Sequence, residues 1–127
     1  YDSDKSYSTA IFYLLTPGTR SRMHRLKSDE IFHFYMGDPV KLVLIHPSGT
    51  IKVLFLGHDI RAGQFVQAVV PAGIWQGAHL LDGGKFALMG ATVAPGFDFP
   101  DRELGTRKEL LELYPQHNDI ITSLTED

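Results

Sequence analysis

Two short stretches gather the residues of this sequence that are able to do chemistry. In Gly18–Gly37 (Gly-Thr-Arg-Ser-Arg-Met-His-Arg-Leu-Lys-Ser-Asp-Glu-Ile-Phe-His-Phe-Tyr-Met-Gly), His24 and Glu30 stand among residues that otherwise suit a buried strand. A histidine exchanges protons near neutral pH, which makes His24 the candidate base of an acid–base step. A buried carboxylate is costly alone, so Glu30 needs a pairing side chain or a ligand. The plain alternative is a core histidine hydrogen-bonded to a glutamate, with no chemistry. In Val70–Gln76 (Val-Pro-Ala-Gly-Ile-Trp-Gln), the Gln76 amide suits either a ligand's hydroxyl or carbonyl or Glu30 itself. Arg20, Arg22, Arg25 and Lys27 form a basic cluster of the kind usually found solvated. Strand alternation nevertheless puts Arg22 on the face of His24 and Leu26, where a guanidinium would suit a phosphate or carboxylate.

The elements that must position these groups read as short strands. The segments 8–15, 20–26, 31–36, 40–46, 50–56, 64–70, 74–80 and 85–94 are β-branched, aromatic or alternating. Pro-Gly, Gly-Asp-Pro, Pro-Ser-Gly and Asp-Gly-Gly turns separate them. About eight strands at spacings of roughly a dozen residues indicate an all-β sandwich or barrel over about 8–99. Glu30, Phe32 and Phe34 share a face, expected to be the interior one, with His33 and Tyr35 pointing away. A helical segment is expected over about 104–124. Thr106 with Glu109 has the spacing of a helix N-terminal cap, Pro115 stops the helix, and a second short helix starts near Asn118. All 127 residues form one domain in this reading, with the helices packed outside the barrel.

Composition excludes several function classes. Twelve basic and 15 acidic residues give a net charge of −3, which offers no general attraction to nucleic acid or an anionic membrane. The absence of cysteine removes disulfides, thiolate metal sites and a cysteine nucleophile, and suits a cytoplasmic location. No apolar run approaches the roughly 20 residues of a membrane span.

The ordered residues resemble the cupin superfamily. Gly18, His24, Glu30 and Gly37 stand at the spacings of its first motif, with Leu26 in the place of the second histidine. Pro71 and Gly73 match the second motif, in which Gln76 replaces the histidine and Leu80 the asparagine. Ser8–Ile11, His24–His33, Val70–Gly73 and Val93–Phe99 are similar to the uncharacterised "cupin five" branch, a domain of unknown function. That branch's upstream segment containing His-Pro-Glu-Gly-Gly does not occur here. The resemblance implies a double-stranded β-helix, the RmlC-like jelly-roll barrel, with a small-molecule pocket inside it, and a homodimer. It names no reaction.

The expected function is metal-independent acid–base chemistry of epimerase or isomerase type on a sugar-like or phosphorylated compound. His24 and Glu30 would be catalytic, and Arg22 and Gln76 would bind ligand. No cofactor is expected. The alternatives are a zinc, iron, nickel or manganese enzyme using His24, Glu30 and Gln76, and a non-catalytic binding or sensor module. His33 falls on the wrong face to join a metal set, and Leu26 cannot ligate.

Overall fold

A computed structural model describes residues 4–126. Among them, nine strands form two sheets. The strands are β1 (Thr9–Leu15), β2 (Ser21–Leu26), β3 (Asp29–Gly37), β4 (Val40–Ile45) and β5 (Ile51–Leu56), followed by β6 (Gln67–Val70), β7 (Trp75–Leu80), β8 (Ala87–Ala94) and β9 (Arg102–Leu104). One sheet has the order β1-β8-β3-β6 and the other β5-β4-β7-β2-β9, and the paired strands run antiparallel. The expected all-β jelly roll is therefore present. Its second sheet continues past residue 99, the expected limit of the barrel, because β9 adds an edge strand beside β2.

Alternation along each strand builds two cores on opposite faces of the second sheet. Between the sheets lie Phe32 and Phe34 of β3, Met89 and Ala91 of β8, Leu42 and Leu44 of β4, and Ala78 and Leu80 of β7. Beyond the second sheet, Met23, Val43, Ile45 and Trp75 pack against Leu110, Tyr114, Ile121 and Leu124. These last four belong to, or directly follow, the helices α1 (Arg107–Leu113) and α2 (Asn118–Ser123). Thr106 Oγ1 caps α1 by accepting from Glu109 N at 3.2 Å. Each large side chain so buried contributes about 1.5–3 kcal/mol relative to exposure. The helices thus lie outside the barrel, over one sheet only.

Two tight turns shape the end of the barrel nearest His24. The turn 71–73 closes on Gly73, whose φ of +82° lies in the left-handed region that glycine occupies without strain. Its backbone is tied down from two sides. Gly73 N donates to Leu26 O at 2.9 Å, and Ala72 N donates to Asp29 Oδ1 at 2.8 Å. The β2–β3 and β6–β7 turns are thereby fastened together at the rim.

Candidate functional site

Three strands bring His24, Glu30 and Gln76 to the inner face of the barrel. His24 on β2 lies directly opposite Gln76 on β7. Glu30 comes from β3 in the other sheet, and Gln76 Nε2 donates to its Oε1 at 2.9 Å, so this bond crosses the barrel. Burial is nearly complete: Gln76 is 1% exposed, His24 8% and Glu30 9%. Gln76 Oε1 is buried and has no hydrogen-bond partner among the described residues. An unsatisfied buried acceptor costs about 1–3 kcal/mol, so a donor that reached it would bind with that gain.

His24 Nδ1 lies 2.7 Å from the Arg22 carbonyl oxygen. A carbonyl only accepts, so Nδ1 carries the ring proton and Nε2 keeps its lone pair. Burial holds the His24 pKa below its usual value. The bond to the Arg22 carbonyl opposes that shift, and the positive charge of Arg102 adds to it. The imidazole is therefore neutral at pH 7 and able to accept a proton. Burial pushes Glu30 the other way, above the usual carboxylate range, opposed by the Gln76 hydrogen bond and by Arg102. The Gln76 Oε1 and His24 Nε2 atoms, with the Glu30 carboxylate when ionised, make a set of acceptors suited to a ligand rich in hydroxyl or N–H donors.

The basic cluster read from the sequence is dispersed. A bulge in the β2–β7 register lies between Ser21 and His24. Arg22, expected beside His24 as a pocket residue, is engaged with Glu126 at 3.2 Å. Arg20 donates to the Thr125 carbonyl at 3.4 Å. Arg25 binds Glu103 and lies over the Trp75 ring, 4.5 Å from its centroid. His33 is on the outer face, 3.1 Å from Thr92 Oγ1. Leu26, in the second histidine's place, is 6% exposed.

Arg102 was not foreseen. It lies directly opposite Leu26 in the β2–β9 pair, hence on the face of the sheet that carries Leu26 and His24. A three-residue strand between Pro100 and Gly105 is too short for alternation to announce. Arg102 also lines an open cleft of about 690 Å³ at the rim, between Arg25–Lys27, the Ala72–Gly73 turn and Pro100–Glu103. His24, Glu30 and Gln76 do not line this cleft, whereas Leu26, two residues from His24 on β2, does.

The sequence of residues 1–105 matches the family described as Cupin superfamily (DUF985). The chain is a member of that cupin family. This cupin is 34% identical over 100 residues to the uncharacterized yeast protein YML079W of Saccharomyces cerevisiae, a match covering 76% of the chain and 50% of the yeast protein. Among solved structures, protein SO0799 of Shewanella oneidensis superposes with a TM-score of 0.94 at 35% identity, covering 99% of the chain and 79% of that protein. A hypothetical protein of Leishmania major gives 0.92 at 31%, covering 97% and 78%.

Cupin barrels are associated with metals, and the residues here fit a catalytic metal poorly. Zinc and iron sites are typically built on three protein ligands in which imidazole and carboxylate dominate. This cupin brings one imidazole, one carboxylate and a neutral amide together, and Leu26 is apolar. Among the described residues, no group of three or more His, Asp or Glu side chains is placed to hold an ion. No helix among them is long and apolar enough to cross a membrane.

Proposed function

We propose that this cupin binds a small oxygen-rich molecule inside the barrel through Gln76 and Glu30. His24 then serves as proton acceptor in a metal-independent step of epimerase or isomerase type. The observation that carries this reading is Gln76 Oε1. It is a buried acceptor without a partner, held in place because the same amide's nitrogen is committed to Glu30. A side chain that served packing alone would cost less as leucine. The fixed His24 tautomer supports the second half. With Nδ1 donating to the Arg22 carbonyl, Nε2 is left to take a proton from a carbon next to a carbonyl, whose oxygen receives the electron pair.

Neighbours of the same fold suggest which compounds to try first. A dTDP sugar isomerase from Desulfovibrio desulfuricans superposes with a TM-score of 0.68 at 16% identity. An epimerase from Legionella pneumophila, solved in complex with dTDP-4-keto-L-rhamnose, gives 0.61 at 12%. Nucleotide sugars and sugar phosphates should be screened by thermal stabilisation, and hits followed for solvent deuterium exchange at the carbon next to the carbonyl. The expected result is binding weakened about tenfold or more by Gln76→Leu, with exchange abolished and binding largely kept in His24→Ala. Undiminished exchange in His24→Ala would sink the catalytic assignment. Saturable, Gln76-dependent binding without exchange would identify a binding or sensor module.

A further inference from the structure

The rim cleft carries five charged side chains: Arg25, Lys27, Arg102, Asp101 and Glu103. Both carboxylates are spoken for, since Asp101 is bound by Lys5 and Glu103 by Arg25. Lys27 and Arg102 have no ion-pair partner among the described residues, and both side chains are exposed. Two cations outside ion-pair distance of any described carboxylate thus face one cleft in a protein whose net charge is −3, with Lys27 acting on Asp101 only at longer range. The cleft is also built rather than accidental. Gly73 N to Leu26 O at 2.9 Å and Ala72 N to Asp29 Oδ1 at 2.8 Å fix its floor, and the β2–β9 pairing fixes the Arg102 backbone opposite Leu26.

We infer that Lys27 and Arg102 form an anion-binding subsite at the rim of the barrel. It holds the phosphate or carboxylate of a ligand whose uncharged part reaches Gln76 and Glu30. This rests on the pocket reading above and gives it a substrate class: oxygen-rich compounds carrying an anionic group. Arg102 is suited to the task because its planar fork of N–H donors matches an oxyanion in two places at once, while Lys27 adds a point charge. Arg102 stands opposite Leu26, two residues along β2 from His24, and its positive charge lowers the pKa of both His24 and Glu30. An anion seated on the guanidinium would offset its charge and make His24 a stronger base once ligand is present. The role expected of Arg22 from the sequence falls to Arg102 instead.

The test is calorimetric titration of the whole protein at low salt with pyrophosphate, and separately with malonate, which distinguishes a phosphate from a carboxylate preference. The variants are Arg102→Gln combined with Lys27→Gln, and Arg22→Gln as a control that removes one positive charge at a residue paired with Glu126. Expected is a loss of affinity of about tenfold or more in the double variant, about 1.4 kcal/mol or above, with the control unchanged. NMR titration of the His24 ring adds a readout that a merely structural role would not move. Its pKa should rise on saturation with pyrophosphate in the native protein and stay put in the double variant. Equal affinity in the double variant, or an equal loss in the Arg22 control, overturns the subsite. The two readings fail separately. A screening hit weakened by Gln76→Leu but not by the double variant removes the anion subsite and keeps the pocket. Pyrophosphate binding that depends on Arg102 and Lys27, without any Gln76-dependent ligand, supports the subsite and removes the pocket.

Discussion

Replacing Gln76 with leucine should stabilise the protein in acid and lose that advantage as the pH rises toward neutrality. The side chains are of similar size, so packing at this 1%-exposed position is nearly conserved. Two polar effects remain. The substitution removes the unpartnered Oε1, a gain of about 1–3 kcal/mol present at every pH. It also removes the 2.9 Å bond from Nε2 to Glu30, worth about 1.5–3 kcal/mol when the carboxylate is ionised and less when it is protonated. In acid, therefore, the variant should be the more stable protein; near neutrality the two effects cancel to within about 1 kcal/mol. The sign agrees with linkage. Burial raises the Glu30 pKa in the folded state, so the native protein loses stability as pH rises from the unfolded carboxyl value through the folded one. The Gln76 bond limits that rise, and its loss lifts the folded pKa further and deepens the fall. Urea denaturation of both proteins at intervals from about pH 4 to pH 8, taken as a difference, isolates the effect. A difference of 1 kcal/mol corresponds to about 3–5 °C in a domain of this size. A difference that is flat with pH, or larger in the variant's favour at pH 8, would refute the account of this pair.

Other expectations follow from single observations. Arg102→Gln should raise the His24 pKa toward its usual value, because the guanidinium now depresses it; NMR of the histidine ring protons measures this directly. Leu124→Ala removes a fully buried side chain between α2 and Gly77 and should cost about 2–5 kcal/mol in urea denaturation, leaving anion binding at the rim unchanged. We propose that β1 pairs with a second copy of the chain. It is a sheet edge of seven residues without a charge, exposing Ile11, Phe12 and Leu14, and an antiparallel copy of itself would cover it. Phe12→Lys should then shift sedimentation from dimer to monomer, and a native protein that is monomeric at micromolar concentration would refute the pairing. Protein purified without a chelating column should contain well under one metal ion per chain. A stoichiometric ion lost on changing His24 or Glu30 would reinstate the metalloenzyme.

The barrel was legible because short β-branched and aromatic segments alternate with strong turn formers at regular spacing. Glu30, Phe32 and Phe34 point inward as their alternation requires, and Gln76 and Ala78 do the same in β7. The pairing of Gln76 with Glu30 was among the options that residue chemistry allowed. The placement of Arg22 was not legible, since alternation cannot anticipate a bulge or an acidic partner 104 residues along the chain. Arg102 escaped for a different reason. Its strand is three residues long and gains its meaning only from lying beside β2.

That pairing has a consequence in time. The backbone of Met23, next to His24, is completed by residues from the far end of the chain. Its N–H donates to Leu124 O at 2.9 Å and its carbonyl accepts from Gly105 N at 2.9 Å. A ribosome adds about 5–20 residues per second, so β2 waits on the order of 5–20 s after its own synthesis for Leu124. Throughout that interval the apolar face of Met23 and Trp75 lacks its helical cover, while the hairpin of β4 and β5 is already able to form. The strand that carries the candidate base thus cannot complete its backbone bonding until Leu124 has been made, although its pairing with β7 is open to it earlier.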